Sequence, residues 1–135
     1  MRSGLAVVVA VLGLAVSPAA FADTAQDMGA GAMNRGGPWA FRGGQAIFAG
    51  VCQGCHMPDA KGAVGAGMYP ALAKDDKLET AGYPVAVVTH GQKAMPPFGA
   101  LLNDQQIADV VNYVRSNFGN KYKDKVSAAD VKAQR

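Results

Sequence analysis

Five consecutive residues, Cys52-Gln53-Gly54-Cys55-His56, carry two thiols and an imidazole at a spacing with a chemical meaning. On a helix Cys52 and Cys55 stand about one turn apart and His56 follows Cys52 by four positions, so all three side chains can address one flat ligand. Thiols that add across haem vinyl groups as thioethers, with an imidazole beneath the iron, suit that arrangement. The pattern therefore reads as the attachment site of one covalent haem c, with Cys52 and Cys55 bonded to the macrocycle and His56 to the metal.

Other readings of the pair stand beside this one. A thioredoxin-like redox motif wants a strand before the cysteines and a helix after them, whereas here a helical pattern precedes them. A zinc site needs four ligands, and a chain with two Cys and two His would have to recruit the distant His90. A disulfide is the plain alternative for an exported chain with two cysteines.

A haem iron ligated by His56 takes a sixth ligand, and Met95 in Met95-Pro96-Pro97-Phe98 is the best placed of the six methionines. A thioether is a weak neutral donor that favours ferrous iron, and the two prolines stiffen the loop that presents it. Met68 is the reserve candidate. Met57 follows His56 directly and cannot reach the opposite face. The outer ring nitrogen of His56 needs an acceptor to fix the imidazole, and the Pro70 carbonyl is the expected one. His90 reads as a polar residue near a helix C-terminus.

The elements that must position these groups are helical. Gly44 to Cys55 has apolar residues at Ile47, Phe48, Val51 and Cys55, while Gly44 and Gly50 are places where another backbone can come close. Pro58 to Tyr69, with Gly62, Gly65 and Gly67, predicts a loop around the haem edge, and Asp75 to Glu79 one short helix. Tyr83-Pro84 opens another helix that Gly91 ends. The last begins at the N-cap Asn103 with Gln106 in the capping-box place, buries Ile107, Val110, Val111, Val114 and Phe118, and closes at Gly119. Three to five helices with no convincing strand make the expected class all-α.

Length and charge narrow the class further. At 135 residues the chain is one small domain with a limited apolar core, which a haem disc would enlarge. Met1 and Arg2, the apolar run Leu5 to Val16 and Ala20-Phe21-Ala22 form a secretory leader over residues 1–22, so a periplasmic protein with no membrane span after cleavage is expected. Without Arg2, twelve Lys or Arg face ten Asp or Glu, a balance that asks for no nucleic acid. Residues 23–42 read as a flexible Gly-rich lead-in interrupted by Trp39 and Phe41, residues 43–120 as the haem domain, and 121–135 as a C-terminal extension. In that extension, Lys121, Lys123 and Lys125, with Asp124 among them, read as a solvated helix end in preference to a docking rim. The two aromatics fit either the domain's own surface or a partner.

With these residues in view, the chain resembles the class I monohaem cytochromes c over roughly Gly43 to Gly119. Gly44, Phe48, Cys52, Cys55 and His56 match the first-helix pattern of that family, Pro70 and Leu72 its Pro-x-Leu haem-packing segment, Met95-Pro96 its axial-methionine loop, and Tyr113 the aromatic of its last helix. The resemblance implies a small cytochrome c fold in which the first and last helices cross at Gly44, Phe48 and Tyr113. One departure is Met57-Pro58, where the family often has Gly directly after the histidine. More narrowly, Cys55-His56-Met57-Pro58, Tyr83-Pro84, His90 to Phe98 and Asn112 to Asn120 resemble cytochrome subunits of periplasmic dehydrogenases such as the flavin-dependent 4-alkylphenol hydroxylases. That likeness implies a non-catalytic electron-transfer subunit, a flavin- or molybdenum-dependent dehydrogenase as donor and a respiratory acceptor. The rival is a haem peroxidase or gas-binding cytochrome with an open sixth position.

Overall fold

A computed structural model describes residues 39–65 and 67–135. The expected leader and most of the lead-in lie outside the described residues. The fold is mainly helical, with α1 Gly44–Ile47, a π turn Phe48–Cys52 and α2 Gln53–His56 running on from one another without a break. A short antiparallel pair, β1 Ala63–Val64 and β2 Met68–Tyr69, comes next, then a 3-10 turn Asp76–Leu78. The helices α3 Gly82–His90, α4 Asp104–Ser116 and α5 Ala128–Lys132 complete it. Among the described residues no helix is long and apolar enough to cross a membrane.

The core lies where α1 crosses α4. A Cβ on Gly44 would fall 2.1 Å from the Asp109 carbonyl oxygen and 2.5 Å from Tyr113 Cβ, so only glycine lets the two backbones meet. Phe48 fills the adjoining space, its ring 5.9 Å from that of Tyr113 and 4.7 Å from that of Phe118. Gly50 serves differently from the backbone approach expected of it. It leaves room for the Phe41 ring, which a Cβ there would meet at 2.3 Å. Trp39 and Phe41 pack on this domain, their carbonyls accepting hydrogen bonds of 2.8 and 3.0 Å from the Gln106 side chain.

Local chemistry explains the helix ends. The Asn103 side chain accepts from Gln106 N–H at 2.9 Å while the Gln106 side chain accepts from Asn103 N–H at 3.0 Å, the reciprocal cap that the sequence predicts. At the other end α4 stops at Ser116, short of the expected Gly119. There the Ser116 hydroxyl and Asn117 amide bond to the carbonyls of Asn112 and Tyr113, both at 2.8 Å, and offer the backbone an alternative to another turn. Phe118 and Gly119 then adopt left-handed conformations, φ 56° and 84°.

Two features depart from the sequence reading. The loop after His56 holds the two-residue strands, and the lysine-bearing stretch 121–127 is extended chain, not a helix end, leading into α5. This C-terminal strap is packed down: Val126 and Val131 are buried, and the Asn112 side chain bonds both backbone groups of Val126 at 2.8 and 2.9 Å. Arg115, only 1% exposed, lies on the buried stripe of α4 one turn beyond Val111. Its guanidinium donates to the carbonyls of Leu78 (2.8 Å), Glu79 (2.9 Å) and Asp124 (2.6 Å) and to both carboxylate oxygens of Asp124 (2.8 Å). Those bonds hold the Asp124 carboxyl below its usual range, and the Tyr122 ring covers the cation at 5.6 Å.

Replacing Arg115 by Leu leaves buried carbonyls without donors. The expected cost is about 2–3 kcal/mol in denaturant unfolding of the haem-loaded protein. Arg115→Lys should recover little of it, because one ammonium cannot reach three separate acceptors.

Candidate haem site

His56 ends α2 and is 7% exposed. Its Nδ1 stands 2.9 Å from the Pro70 carbonyl oxygen. A carbonyl can only accept, so Nδ1 carries the proton and Nε2 keeps the lone pair a metal requires. The acceptor is the one expected from the sequence.

The chain returns from His56 to Pro70 along a path that is closely tied. Gly62 N–H donates to the His56 carbonyl at 3.1 Å, and the Ala60 carbonyl accepts from both Leu72 (2.8 Å) and Ala73 (2.9 Å). Asn120, which sequence reasoning missed, is 5% exposed and bridges three segments. Its side chain donates to the carbonyls of Leu72 and Val114 at 2.8 Å and accepts from Asp75 N–H at 3.1 Å. Leu72 is therefore held from both sides of its peptide. No sequence pattern announces this role, since an Asn after a Gly reads equally well as an exposed turn.

Neither cysteine is in a disulfide; Cys52 is half-buried and Cys55 exposed. Burial, with Cys55 beside it, pushes the Cys52 thiol up to about 11. A thiol-exchange enzyme needs the opposite shift, so this environment argues against the thioredoxin-like reading. Cys55, expected on the apolar stripe of the first helix, leaves the core. The π turn adds a residue between Phe48 and Cys52 and rotates α2 away from the Ile47 and Phe48 face.

Met95 is carried by a separate, tightly folded segment. Gln92 and Met95 exchange both backbone hydrogen bonds, 3.0 and 2.9 Å, in an isolated bridge. Gly91 (φ 77°) starts the segment where a Cβ would lie 2.6 Å from the Met95 carbonyl oxygen. The chain then returns to α3, Phe98 and Gly99 donating to the carbonyls of Val88 (2.9 Å) and Thr89 (3.1 Å). Those carbonyls at the helix end would otherwise lack partners. His90, which a zinc site would require beside the cysteines, instead bonds Gln134 at the end of α3.

The donor set suits a haem: two unpaired thiols, an imidazole with a fixed tautomer, and a thioether on a stiff segment. Met68 and Tyr69 are 74% and 44% exposed directly before Pro70, an apolar surface that suits a macrocycle. Residues 39–114 match the family of cytochrome c domains described as "Cytochrome C oxidase, cbb3-type, subunit III". The chain belongs to this cytochrome c family. As in other members of the family, its cofactor is covalently bound haem c. It is 39% identical over 93 residues to the cytochrome c subunit of a quinone alcohol dehydrogenase from Gluconacetobacter polyoxogenes, covering 59% of this chain and 19% of that protein. To the gluconate 2-dehydrogenase cytochrome c subunit of Pantoea cypripedii it is 56% identical over 41 residues, 30% of this chain and 9% of that one. A cytochrome c6 from Bumilleriopsis filiformis is 38% identical over 78 residues, 54% of this chain and 86% of its own. The chain thus spans about a fifth of the alcohol dehydrogenase subunit that it matches.

Within this cytochrome c domain, Met57 occupies φ 65°, ψ 156°, a region that side chains rarely adopt and glycine tolerates. The departure noted in the sequence therefore falls on a residue with a strained backbone. Met57→Gly should raise the stability of the haem-loaded protein by about 1 kcal/mol, read as a higher thermal midpoint with an unchanged visible spectrum.

Proposed function

We propose that this chain is a periplasmic one-electron carrier that takes electrons from a partner dehydrogenase and delivers them to a respiratory acceptor. In this reading Cys52 and Cys55 would hold the haem through thioethers, and His56 Nε2 and Met95 Sδ would ligate its iron. Haem so bound supplies a ferric/ferrous couple. The observation that carries the reading is the His56 Nδ1–H to Pro70 carbonyl bond, which fixes the ring and raises the basicity of the nitrogen left for metal.

The other residues act by exclusion and orientation. Leu72, anchored through Ala60 and Asn120, presents an apolar side chain where water would otherwise stand. The bonded Gln92 and Met95 pair with Pro96 and Pro97 limits movement of the thioether, so little reorganisation accompanies a change of charge. The exposed Cys55 lies on the side from which a partner could approach most closely.

Similarity to subunits of alcohol, gluconate and fructose dehydrogenases supports a dehydrogenase as donor. In this reading that enzyme is a flavin- or molybdenum-dependent one in a separate chain. The export leader that would place the protein in the periplasm falls outside the described residues. Trp39 and Phe41 pack on the domain itself and are partly buried there.

Mature protein from a host that matures c-type haems should show the mass of the polypeptide plus one haem, and the bare polypeptide mass would refute the reading. Met95→Ala should lower the reduction potential by more than about 0.1 V, within the ~0.8 V that axial ligands span, and should let carbon monoxide bind the reduced protein rapidly. An unchanged spectrum and potential would exclude Met95 and leave Met68 as the candidate. Rapid carbon monoxide binding by the parent protein would favour the peroxidase or gas-binding alternative.

A further inference from the structure

The segment bearing Met95 is fastened at its two ends by consecutive residues of the C-terminal strap. At its start, His90 Nε2 lies 2.6 Å from the Gln134 carbonyl oxygen, so that nitrogen carries the proton and donates. At its end, the Arg135 guanidinium donates through Nη1 to the Gly99 carbonyl and through Nη2 to the Leu102 carbonyl at 3.0 Å. An ion pair between Arg135 Nε and the Asp104 carboxylate orients the fork. The peptide groups at Gly99 are gripped from both directions, its N–H by Thr89 of α3 and its carbonyl by Arg135. The strap itself is anchored elsewhere, by buried Val126 and Val131 and by the bonds of Asn112 and Arg115.

We propose that Gln134 and Arg135 form a brace for the Met95 segment, with Arg135 a positioning residue for the sixth iron ligand; this rests on Met95 being that ligand. A thioether is a weak donor, so how long it stays depends on the free-energy gap between the closed segment and one swung open at its root. The segment's own ties to α3 are the backbone bonds of Gly91 to Val87, Phe98 to Val88 and Gly99 to Thr89, and the Tyr83 hydroxyl donating to Gln92 Oε1 at 3.2 Å. The brace adds an acceptor at Gln134 and donors at Arg135 that act on the closed arrangement alone. Removing them raises the open population, and an outside ligand enters in proportion to that population. The strap thereby contributes to ligation although it carries no metal-binding side chain.

The test uses haem-loaded protein as parent, Arg135→Gln, Arg135→Lys, His90→Ala and the surface control Lys123→Gln. The far-red sulfur-to-iron charge-transfer band of the ferric parent reports first whether methionine is bound. Its absence removes the reading beneath the proposal, and the proposal with it. With the band present, Arg135→Gln should bind cyanide to the ferric protein about tenfold faster than parent and show a lower reduction potential. His90→Ala should change both in the same direction by less, and Lys123→Gln should match the parent. Arg135→Lys should stay close to Arg135→Gln, because an ammonium lacks the planar fork. Full rescue by lysine would reduce the effect to charge and overturn the brace. So would a lower melting temperature in Arg135→Gln with cyanide rate and potential unchanged, since that result describes a purely structural contact.

Discussion

The contact on which the rest depends is the one between Gly44 and the Asp109 carbonyl. With no side chain between them, α1 and α4 approach until their backbones touch, and that spacing sets where Phe48, Tyr113 and Phe118 can meet. The two thiols and His56, all beyond Phe48 in the chain, are built outward from this fixed point. Helix α4 performs a matching service at its far end, where Val114 and Arg115 hold the segments that come back from the haem signature.

Backbone carbonyls serve throughout the domain as anchors. Apolar burial supplies most of the driving force for such a small domain but does not choose among nearby arrangements of loops. Here that choice falls to a few side chains with several donors: Asn120 on Leu72 and Val114, Gln106 on Trp39 and Phe41, Arg115 on Leu78, Glu79 and Asp124. Each joins segments far apart in sequence. The non-helical chain around the site is thereby held in one path without a large core beneath it.

The sequence made much of this legible. The Asn103 and Gln106 cap, the stripe Ile107 to Val114 and Gly91 at the end of α3 all stand where residue type and spacing put them, because each depends on local geometry. Arg115 was not legible, since its charge argued for the surface and its partners lie outside α4. The same holds for Asn120 and α5, whose short run of Ala128 to Lys132 carries too weak an apolar pattern to be read alone. The strain at Met57 was visible only as a mismatch with a family habit.

The π turn at Phe48–Cys52 has a geometric consequence. One additional residue in a helical path offsets everything beyond it by about 100° relative to an uninterrupted α-helix. The aromatic side of the first helical run and its sulfur-bearing side therefore have separately adjustable azimuths. A chain of this kind can alter how its helices interlock without re-aiming its cofactor, and can re-aim the cofactor without repacking its interior.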